Sequence, residues 1–211
     1  MRVFRVNNIF YSLQGEGRNT GRAAVFIRFA GCNLRCSFCD TEFEAYREMS
    51  DEEILAAVRN LAPSIKTPIP SGGEGGGLLV VLTGGEPTLQ VDEAFVDLLH
   101  QHGYEVAMES NGTRPAPMNL DWLTVSPKES GKWKVESGKR IPDELKIVFE
   151  ENTPEKLSSF HYPPSSFLYL QPCDTGNPDR NKAITQACVE YIKAHPQWRL
   201  SLQTHKLIDI E

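Results

Sequence analysis

Three cysteines within eight residues place the strongest constraint on this chain: Cys32, Cys36 and Cys39 must share one loop. Clustered thiolates are soft ligands that select zinc, copper(I) or an iron–sulfur cluster. A structural zinc normally takes four protein ligands in two nearby pairs, but the next cysteine is Cys173 and the first histidine is His100. Three ligands in one loop instead suit a 4Fe–4S cluster whose fourth iron is left open for a small molecule.

The net charge and the number of cysteines indicate which partners and which cellular compartment to expect. The net charge of -6 argues against a nucleic-acid surface or an anionic membrane as partner. The N-terminus lacks the apolar run of a signal peptide, and no segment approaches the ~18 apolar residues of a membrane span. The odd total of 5 cysteines fits reduced thiols better than a disulfide framework. We therefore expect a cytoplasmic protein with a single domain over residues 1–211, acting on a small ligand or a protein.

Short apolar runs recur along the chain and predict a sheet with parallel strands. Residues 78–82 are continuously apolar, as in a parallel strand buried on both faces, and they open a strand–turn–helix–strand unit. Ser50 and Glu53 form a capping-box pattern that starts a helix near residue 51. After residue 104 the links lose helical periodicity, so some covering helices should be missing. The predicted strands are 3–11, 24–30, 78–82, 104–109, 122–125, 144–149, 167–170 and 198–202, and the predicted helices are 51–61, 92–102 and 179–194.

One stretch is predicted to lie outside the sheet. Residues 71–77 hold five glycines around a single glutamate. Such a composition cannot pack, so we interpret the stretch as a flexible surface insertion.

The cysteine loop resembles the signature of the radical S-adenosylmethionine (SAM) enzymes. The family motif is C-x3-C-x2-C with an aromatic residue, here Phe38, before the last cysteine. Residues 83–87, Thr-Gly-Gly-Glu-Pro, look like the family's glycine-rich turn that contacts the methionine amino group. The resemblance implies that the open iron chelates SAM and that electron transfer yields a 5′-deoxyadenosyl radical. It also implies an α/β fold, a partial (incomplete) βα barrel of the radical SAM type with several covering helices missing.

A narrower resemblance covers nearly the whole chain and points to the 7-carboxy-7-deazaguanine synthase family. It implies a lyase that converts 6-carboxy-5,6,7,8-tetrahydropterin to 7-carboxy-7-deazaguanine with loss of ammonia, by hydrogen abstraction and ring contraction, in deazapurine and queuosine biosynthesis. An electron donor such as flavodoxin or ferredoxin would serve it. The motifs that carry the resemblance are residues 13–17, 28–29, 32–41, 83–87, 109–112, 126–128, 171–174 and 203–206.

The same resemblance assigns residues to ligands. Arg28 would grip the substrate carboxylate as a planar bidentate donor, and Thr41 would help to hold Mg²⁺. No protein side chain is expected to act as a catalytic acid or base. The other expected substrate residues are Leu13, Gln14, Gly15, Glu16, Thr83, His205 and Glu211, the last two in a tail, residues 203–211, that closes over the substrate. The expected SAM-binding residues are Phe38, Gly84, Gly85, Glu86, Glu109, Ser126, Pro127, Lys128, Gln171, Pro172, Cys173 and Asp174.

Other interpretations stay open at this point. Arg28 could pair with a structural acid such as Glu16, Lys128 could be a surface charge, and His205 could be solvated. A glycyl-radical activating enzyme shares the cysteine and glycine motifs but acts on a protein, and a non-catalytic zinc or iron–sulfur module would also cluster cysteines. Because thin helical cover leaves sheet surface that a second subunit could bury, we expect a homodimer.

Overall fold

One nine-stranded sheet organises the chain in the computed structural model. The structure describes residues 2–37, 39, 44–62, 77–128, 140–157, 162–164 and 166–211. All eight predicted strands and all three predicted helices are confirmed, with ends shifted by a few residues. The strands are β1 (Val3–Leu13), β2 (Ala23–Phe29), β3 (Arg47–Ser50), β4 (Leu79–Gly84), β5 (Glu105–Ser110), β6 (Trp122–Val125), β7 (Glu144–Phe149), β8 (Phe167–Pro172) and β9 (Trp198–Leu200). The helices are α1 (Asp51–Leu61), α2 (Glu93–Gln101), α3 (Thr153–Leu157), α4 (Pro178–Ala194) and α5 (Thr204–Leu207).

The strand order is β3-β1-β2-β4-β5-β6-β7-β8-β9. Strand β1 pairs antiparallel with β2 and β3, and from β2 onward every neighbouring pair is parallel. Because parallel strands run the same way, the loops that follow them gather at one edge of the sheet. Among the described residues the two outer strands, β3 and β9, do not pair, so the sheet stays open as a partial barrel.

Alternate side chains of each strand face opposite sides of the sheet. On β2, Val25 and Ile27 join the main core under the helices, whereas Ala24 and Phe26 belong to a smaller apolar cluster on the other face, called here the inner face. Strand β7 carries Lys146 on that inner face, buried at 4% exposure. Polar and charged side chains can therefore be held by the sheet without entering the core beneath the helices.

Helix α1 begins as its sequence predicts. The Ser50 hydroxyl accepts a hydrogen bond from the Glu53 backbone N–H at 3.3 Å, and the Ser50 N–H donates to the Glu53 carboxylate at 2.7 Å. This reciprocal pair satisfies two donors that would otherwise lack partners. The helix then buries Ile54, Leu55 and Val58 against the sheet.

Helical cover is uneven, as predicted. The described links between β5 and β6 hold no helix, and α3, between β7 and β8, has only five residues. Strand β3, α3 and α5 were not predicted, because elements of four or five residues are too short for periodicity to reveal. The expected insertion at 71–77 lies outside the described residues except for Gly77. None of the described helices is long and apolar enough to cross a membrane.

Candidate active site

The three predicted cluster cysteines line one cavity at the edge where the parallel strands end. The cavity has a volume of about 210 Å³, and Cys32, Cys36 and Cys39 share its wall with Gly84 and Gly85. The cysteine loop follows β2 directly, and the glycine turn ends the neighbouring β4. Pairing of these two strands therefore brings both sequence motifs to the same cavity.

Two glycines let the turn after β4 touch the start of the cysteine loop. Gly84 has a φ of +111°, and a Cβ there would stand 2.3 Å from the Phe29 carbonyl oxygen. A Cβ on Gly85 would stand 1.9 Å from the Gly31 carbonyl oxygen. With only hydrogen atoms in those places, the Gly85 N–H donates to Phe29 and the Glu86 N–H donates to Gly31, both at 2.9 Å. The glycine pair thus fixes where the cysteine loop leaves the sheet.

Glu86 joins two turns and does not line the cavity. Its side chain is fully buried, and its carboxylate accepts hydrogen bonds from Thr88 (2.6 and 3.1 Å), the Ser110 hydroxyl (2.8 Å) and the Asn111 N–H (2.7 Å). These bonds tie the turn after β4 to the turn after β5. The Glu86 side chain thus positions the two turns, and the expected contact of this residue with the cofactor stays a prediction. Pro127 is likewise absent from the described cavity wall.

The donor atoms around the cavity fit a 4Fe–4S cluster. Besides three thiols, the site has N–H donors to sulfur: Leu34 donates to Cys32 Sγ at 3.4 Å, and the Asn111 amide lies 3.9 Å from the same atom. Hydrogen bonds to ligating sulfur are one way in which proteins set a cluster's potential. Among the described residues, no three His, Cys, Asp or Glu side chains converge as the ligands of a single metal ion would. A cubane cluster spreads its cysteines over three irons, so a shared cavity wall is what it requires.

Most of the residues expected to bind SAM also lie on this wall, at the ends of β4 to β8. The Lys128 ammonium donates to the Ser126 hydroxyl at 3.0 Å. Burial lowers the pKa of Lys128, and the nearby charge of Lys146 lowers it further. Phe38 and Thr41 are outside the described residues, so their expected roles stay predictions. The wall includes Gly84, Gly85, Glu109, Ser126, Lys128, Gln171, Pro172, Cys173 and Asp174.

Asp174 is held in place at the far side of the cavity. Its carboxylate accepts hydrogen bonds from the Gly176 N–H at 3.0 Å, the Lys206 ammonium at 2.9 Å and the Asn181 amide at 2.8 Å. These donors lower the pKa of Asp174 to about 2, so the group is ionised at neutral pH. Lys206 belongs to α5, so the ion pair also joins the tail to the cofactor side of the site.

A second cavity, of about 110 Å³, opens beside the first. Glu16, Thr83 and Glu109 line both cavities, so they form the border between them. Phe10 and Phe26 supply apolar wall. All eight expected substrate residues lie on this second wall: Leu13, Gln14, Gly15, Glu16, Arg28, Thr83, His205 and Glu211.

Arg28 presents a positive charge to the second cavity. Its guanidinium lies over the Phe10 ring, 5.2 Å from the ring centre. No carboxylate among the described residues forms a salt bridge with it, and Glu16 pairs with Lys146 instead. The alternative in which Arg28 is the structural partner of Glu16 is therefore wrong. A half-buried cation on a cavity wall is suited to an anionic ligand group.

Lys146 is a site residue that the sequence reasoning missed. Its ammonium lies 2.5 Å from Glu16 Oε2 and 2.7 Å from Glu109 Oε2. Burial opposes the charge of Lys146, but the carboxylates of Glu109, Glu16 and Glu144 raise its pKa overall. Burial also opposes the charge of Glu16, whose pKa is nevertheless lowered by Lys146 and by the Gln203 amide. The sequence did contain a signal for it. Lys146 is the one charged residue in the otherwise apolar run 145–149, and the alternation of side chains along a strand places it on the inner face.

The C-terminal tail covers the second cavity and contains α5, where a polar tail without an element was expected. The Thr204 backbone N–H and hydroxyl both donate to the Gly15 carbonyl, at 3.0 and 2.8 Å. A Cβ on Gly15 would stand 2.2 Å from His205 Nδ1, so glycine is needed for this approach. At the chain end, the Ser12 hydroxyl donates to the Glu211 main-chain oxygen at 2.6 Å.

Comparison with known proteins identifies the family of this chain. Residues 26–129 match the model of the radical SAM superfamily. Together with the open parallel sheet, the three-cysteine loop and the glycine turn, the match defines the chain as a radical SAM protein. A protein of Bacteroides thetaiotaomicron named 7-carboxy-7-deazaguanine synthase is 48% identical over 98% of this chain and 98% of its own length. The chain belongs to the 7-carboxy-7-deazaguanine synthase family.

Further relatives support the same conclusion. The Nitratidesulfovibrio vulgaris protein of that name is 43% identical over 99% of both chains. The crystal structure of QueE from Escherichia coli has a TM-score of 0.71 and 28% identity, covering 95% of this chain and 93% of that one. The expected radical SAM fold is thereby confirmed. The family also carries the expected 4Fe–4S cluster and SAM.

Proposed function

We propose that the protein converts 6-carboxy-5,6,7,8-tetrahydropterin to 7-carboxy-7-deazaguanine with loss of ammonia. The observation that carries the proposal is the second cavity, whose wall holds all eight residues that the resemblance assigned to the substrate and which borders the SAM cavity. The cavity wall carries Arg28, which forms no salt bridge with a described carboxylate, the Gln14 amide and the carboxylates of Glu16, Glu109 and Glu211. Such a wall suits a small carboxylated heterocycle. A glycyl-radical activating enzyme would need access for a protein chain, and the tail covers this cavity.

Different residues of the second cavity would bind different parts of the substrate. Arg28 would bind the carboxylate through its planar fork, and Gln14, Glu16 and Thr83 would bond the donor and acceptor edge of the pterin. His205 and Glu211, carried by the tail at residues 203–211, would close the cavity and exclude water. Phe10 would hold Arg28 in orientation through the contact with its ring.

The cofactors would occupy the first cavity. Cys32, Cys36 and Cys39 would hold the cluster, and the residues at the ends of β4 to β8 would hold SAM. When bound, the two groups supply a radical able to remove a hydrogen atom from carbon. A Mg²⁺ ion held in part by Thr41 could neutralise the substrate carboxylate, and a protein such as flavodoxin or ferredoxin would supply the electron.

Anaerobic reconstitution with iron and sulfide tests the proposal. We expect a brown protein that, with SAM and a reductant, turns the carboxylated pterin into the deazaguanine and releases ammonia. Cys36→Ser should lose iron and activity, whereas Cys188→Ala should keep both, because Cys188 is buried in the core and burial raises the pKa of its thiol to about 12. A colourless zinc protein, or a loaded protein that leaves the pterin unchanged, would contradict the proposed function.

Two further expectations are part of the proposal. We propose a cytoplasmic homodimer, which a single monomeric species in light scattering at micromolar concentration would contradict. We also propose that residues 1–211 act as one domain, so limited proteolysis should not release an active fragment that lacks either the cysteine loop or the tail.

A further inference from the structure

The Lys146 ammonium contacts two carboxylates that come from distant parts of the chain. It lies on β7, and its side chain is 5% exposed. Its partners are Glu16, in the loop after β1, and Glu109, on β5. Both carboxylates lie on the border between the two cavities, whereas Lys146 lines only the first. Both acids therefore line the cavity proposed for the substrate, which Lys146 itself does not line.

The second oxygen of each carboxylate is also held. The Gln203 amide donates to Glu16 Oε1 at 3.0 Å, and the Gln14 amide donates to Glu109 Oε1 at 3.1 Å. The Gln14 side-chain oxygen in turn accepts the Glu16 N–H at 3.2 Å. Because a carboxylate oxygen has two acceptor positions, each of these oxygens can still accept one bond from a ligand. The orientation of both acceptors is thus fixed before a ligand arrives.

Lys146 places one positive charge between the two negative charges of Glu16 and Glu109. The Glu16 and Glu109 oxygens that share the ammonium lie at most about 5 Å apart. Glu144 adds a third acid from the same strand, while Lys128 after β6 and His205 in the tail face the group from other elements. Arg28 on β2 lines the second cavity together with Glu16 and Glu109. Two partly buried carboxylates this close repel each other, and without a cation between them one takes up a proton.

We propose that Lys146 is a positioning residue that holds Glu16 and Glu109 as a pair of ionised acceptors for the hydrogen-bond donor edge of the substrate. This inference rests on the proposed function, and it deepens it by assigning how the substrate's ring edge is recognised. A 2-amino-4-oxopyrimidine ring presents an amino group and a ring N–H side by side, which are donors that a carboxylic acid accepts less well than a carboxylate. Lys146 acts through the two carboxylates and need not touch the substrate.

The test uses the reconstituted holoenzyme with SAM but no reductant, so that binding of the carboxylated pterin is measured without turnover. For Lys146→Met we expect the Kd of the pterin to rise by about 100-fold at pH 7, with the iron content of wild type. Both pterin affinity and kcat/KM should recover as the pH rises from 7 to 9, because the shared proton is then lost. Lys146→Arg should lose much less affinity, since it keeps the charge.

Lys193→Met is the matched control, because Lys193 is exposed on α4 and pairs with Glu190 at the surface. It should match wild type in every measurement. Should Lys146→Met not yield folded holoenzyme, Lys146→Gln, which is neutral but keeps an N–H donor, carries the same expectation. A wild-type pterin affinity in the neutral variant, or a loss that is equal at every pH, would overturn the role of Lys146. Wild-type holoenzyme that does not convert the pterin would instead contradict the proposed function itself.

Discussion

Replacing Gly85 by alanine tests how the glycine turn positions the cysteine loop. The added Cβ would stand 1.9 Å from the Gly31 carbonyl oxygen, 2.5 Å from its carbonyl carbon and 3.2 Å from the Cys32 nitrogen. Real Cβ contacts under 3.0 Å essentially never occur. These obstacles are backbone atoms, so they cannot rotate away as a side-chain tip would. The peptide between Gly31 and Cys32 must therefore retreat by about 1 Å, and Cys32 moves with it.

A displacement of this size should affect the cluster more than the fold. Overpacking of this kind costs about 1–3 kcal/mol of stability, whereas a misplacement of about 1 Å at a reacting centre can cost about 100-fold in rate. We expect Gly85→Ala to remain folded in urea titrations, to hold less iron after anaerobic reconstitution, and to lose at least about 100-fold in turnover of the carboxylated pterin.

Gly21→Ala is the control that separates backbone strain from steric displacement. Gly21 has a φ of +86°, yet a Cβ there meets nothing within 4 Å. Alanine at this position should cost about 1–2 kcal/mol through the left-handed backbone alone, with full iron content and activity. The reasoning is refuted if Gly85→Ala binds iron and turns over like wild type, or if the two variants lose activity equally.

Three further predictions follow from single contacts. Arg28→Gln should raise the KM of the pterin by about 100-fold while SAM affinity stays unchanged in equilibrium titration; an equal loss of both affinities would contradict a substrate role. Burial raises the pKa of Glu144 from 4.5 to about 7, so the folded state keeps a proton that the unfolded chain releases in that window, and stability falls as the pH rises through it. Urea titration should therefore find Glu144→Gln more stable than wild type at pH 8, by on the order of 3 kcal/mol, with the difference vanishing toward pH 4. Ser50→Ala should cost about 1 kcal/mol in the same assay, through loss of the α1 cap, and leave activity unchanged.

The sequence predicts those parts of the fold whose signal is local. The continuous apolar run at 78–82 and the capping pair Ser50 and Glu53 each predicted an element that the structure contains. Strand β3 was not predicted because it is four residues long, has two exposed residues among the four, and pairs with β1, which is far away in sequence. Its hydrogen-bonding partner is a strand more than forty residues earlier in the chain, so no local sequence pattern predicts it.

Site residues were likewise predictable where their signal is local and not where it depends on distant parts of the chain. The residues Cys32, Cys36 and Cys39 could be found because they share one loop, and Arg28 because a charge interrupts an apolar strand. Lys146 gives a similar interruption in its strand, but its role depends on Glu16 and Glu109, which lie 130 and 37 residues away. The position of Glu86 could not be read from its motif: its neighbours Gly84 and Gly85 line the cavity, while its own side chain is fully buried.

The register of the parallel strands explains why the polar residues meet at one level. Phe26 pairs with Val81, Val81 with Ala107, and Ala107 with Trp122, which makes one apolar layer on the inner face. Two residues further along, Arg28 pairs with Thr83, Glu109 with Thr124, and Thr124 with Glu144. Because side chains two positions apart share a face, this second layer lies directly above the first, toward the ends of the strands. The apolar layer excludes water from below, so charges in the polar layer act in a medium of low dielectric constant, where the ion pair of Lys146 with Glu109 is stronger than it would be in water.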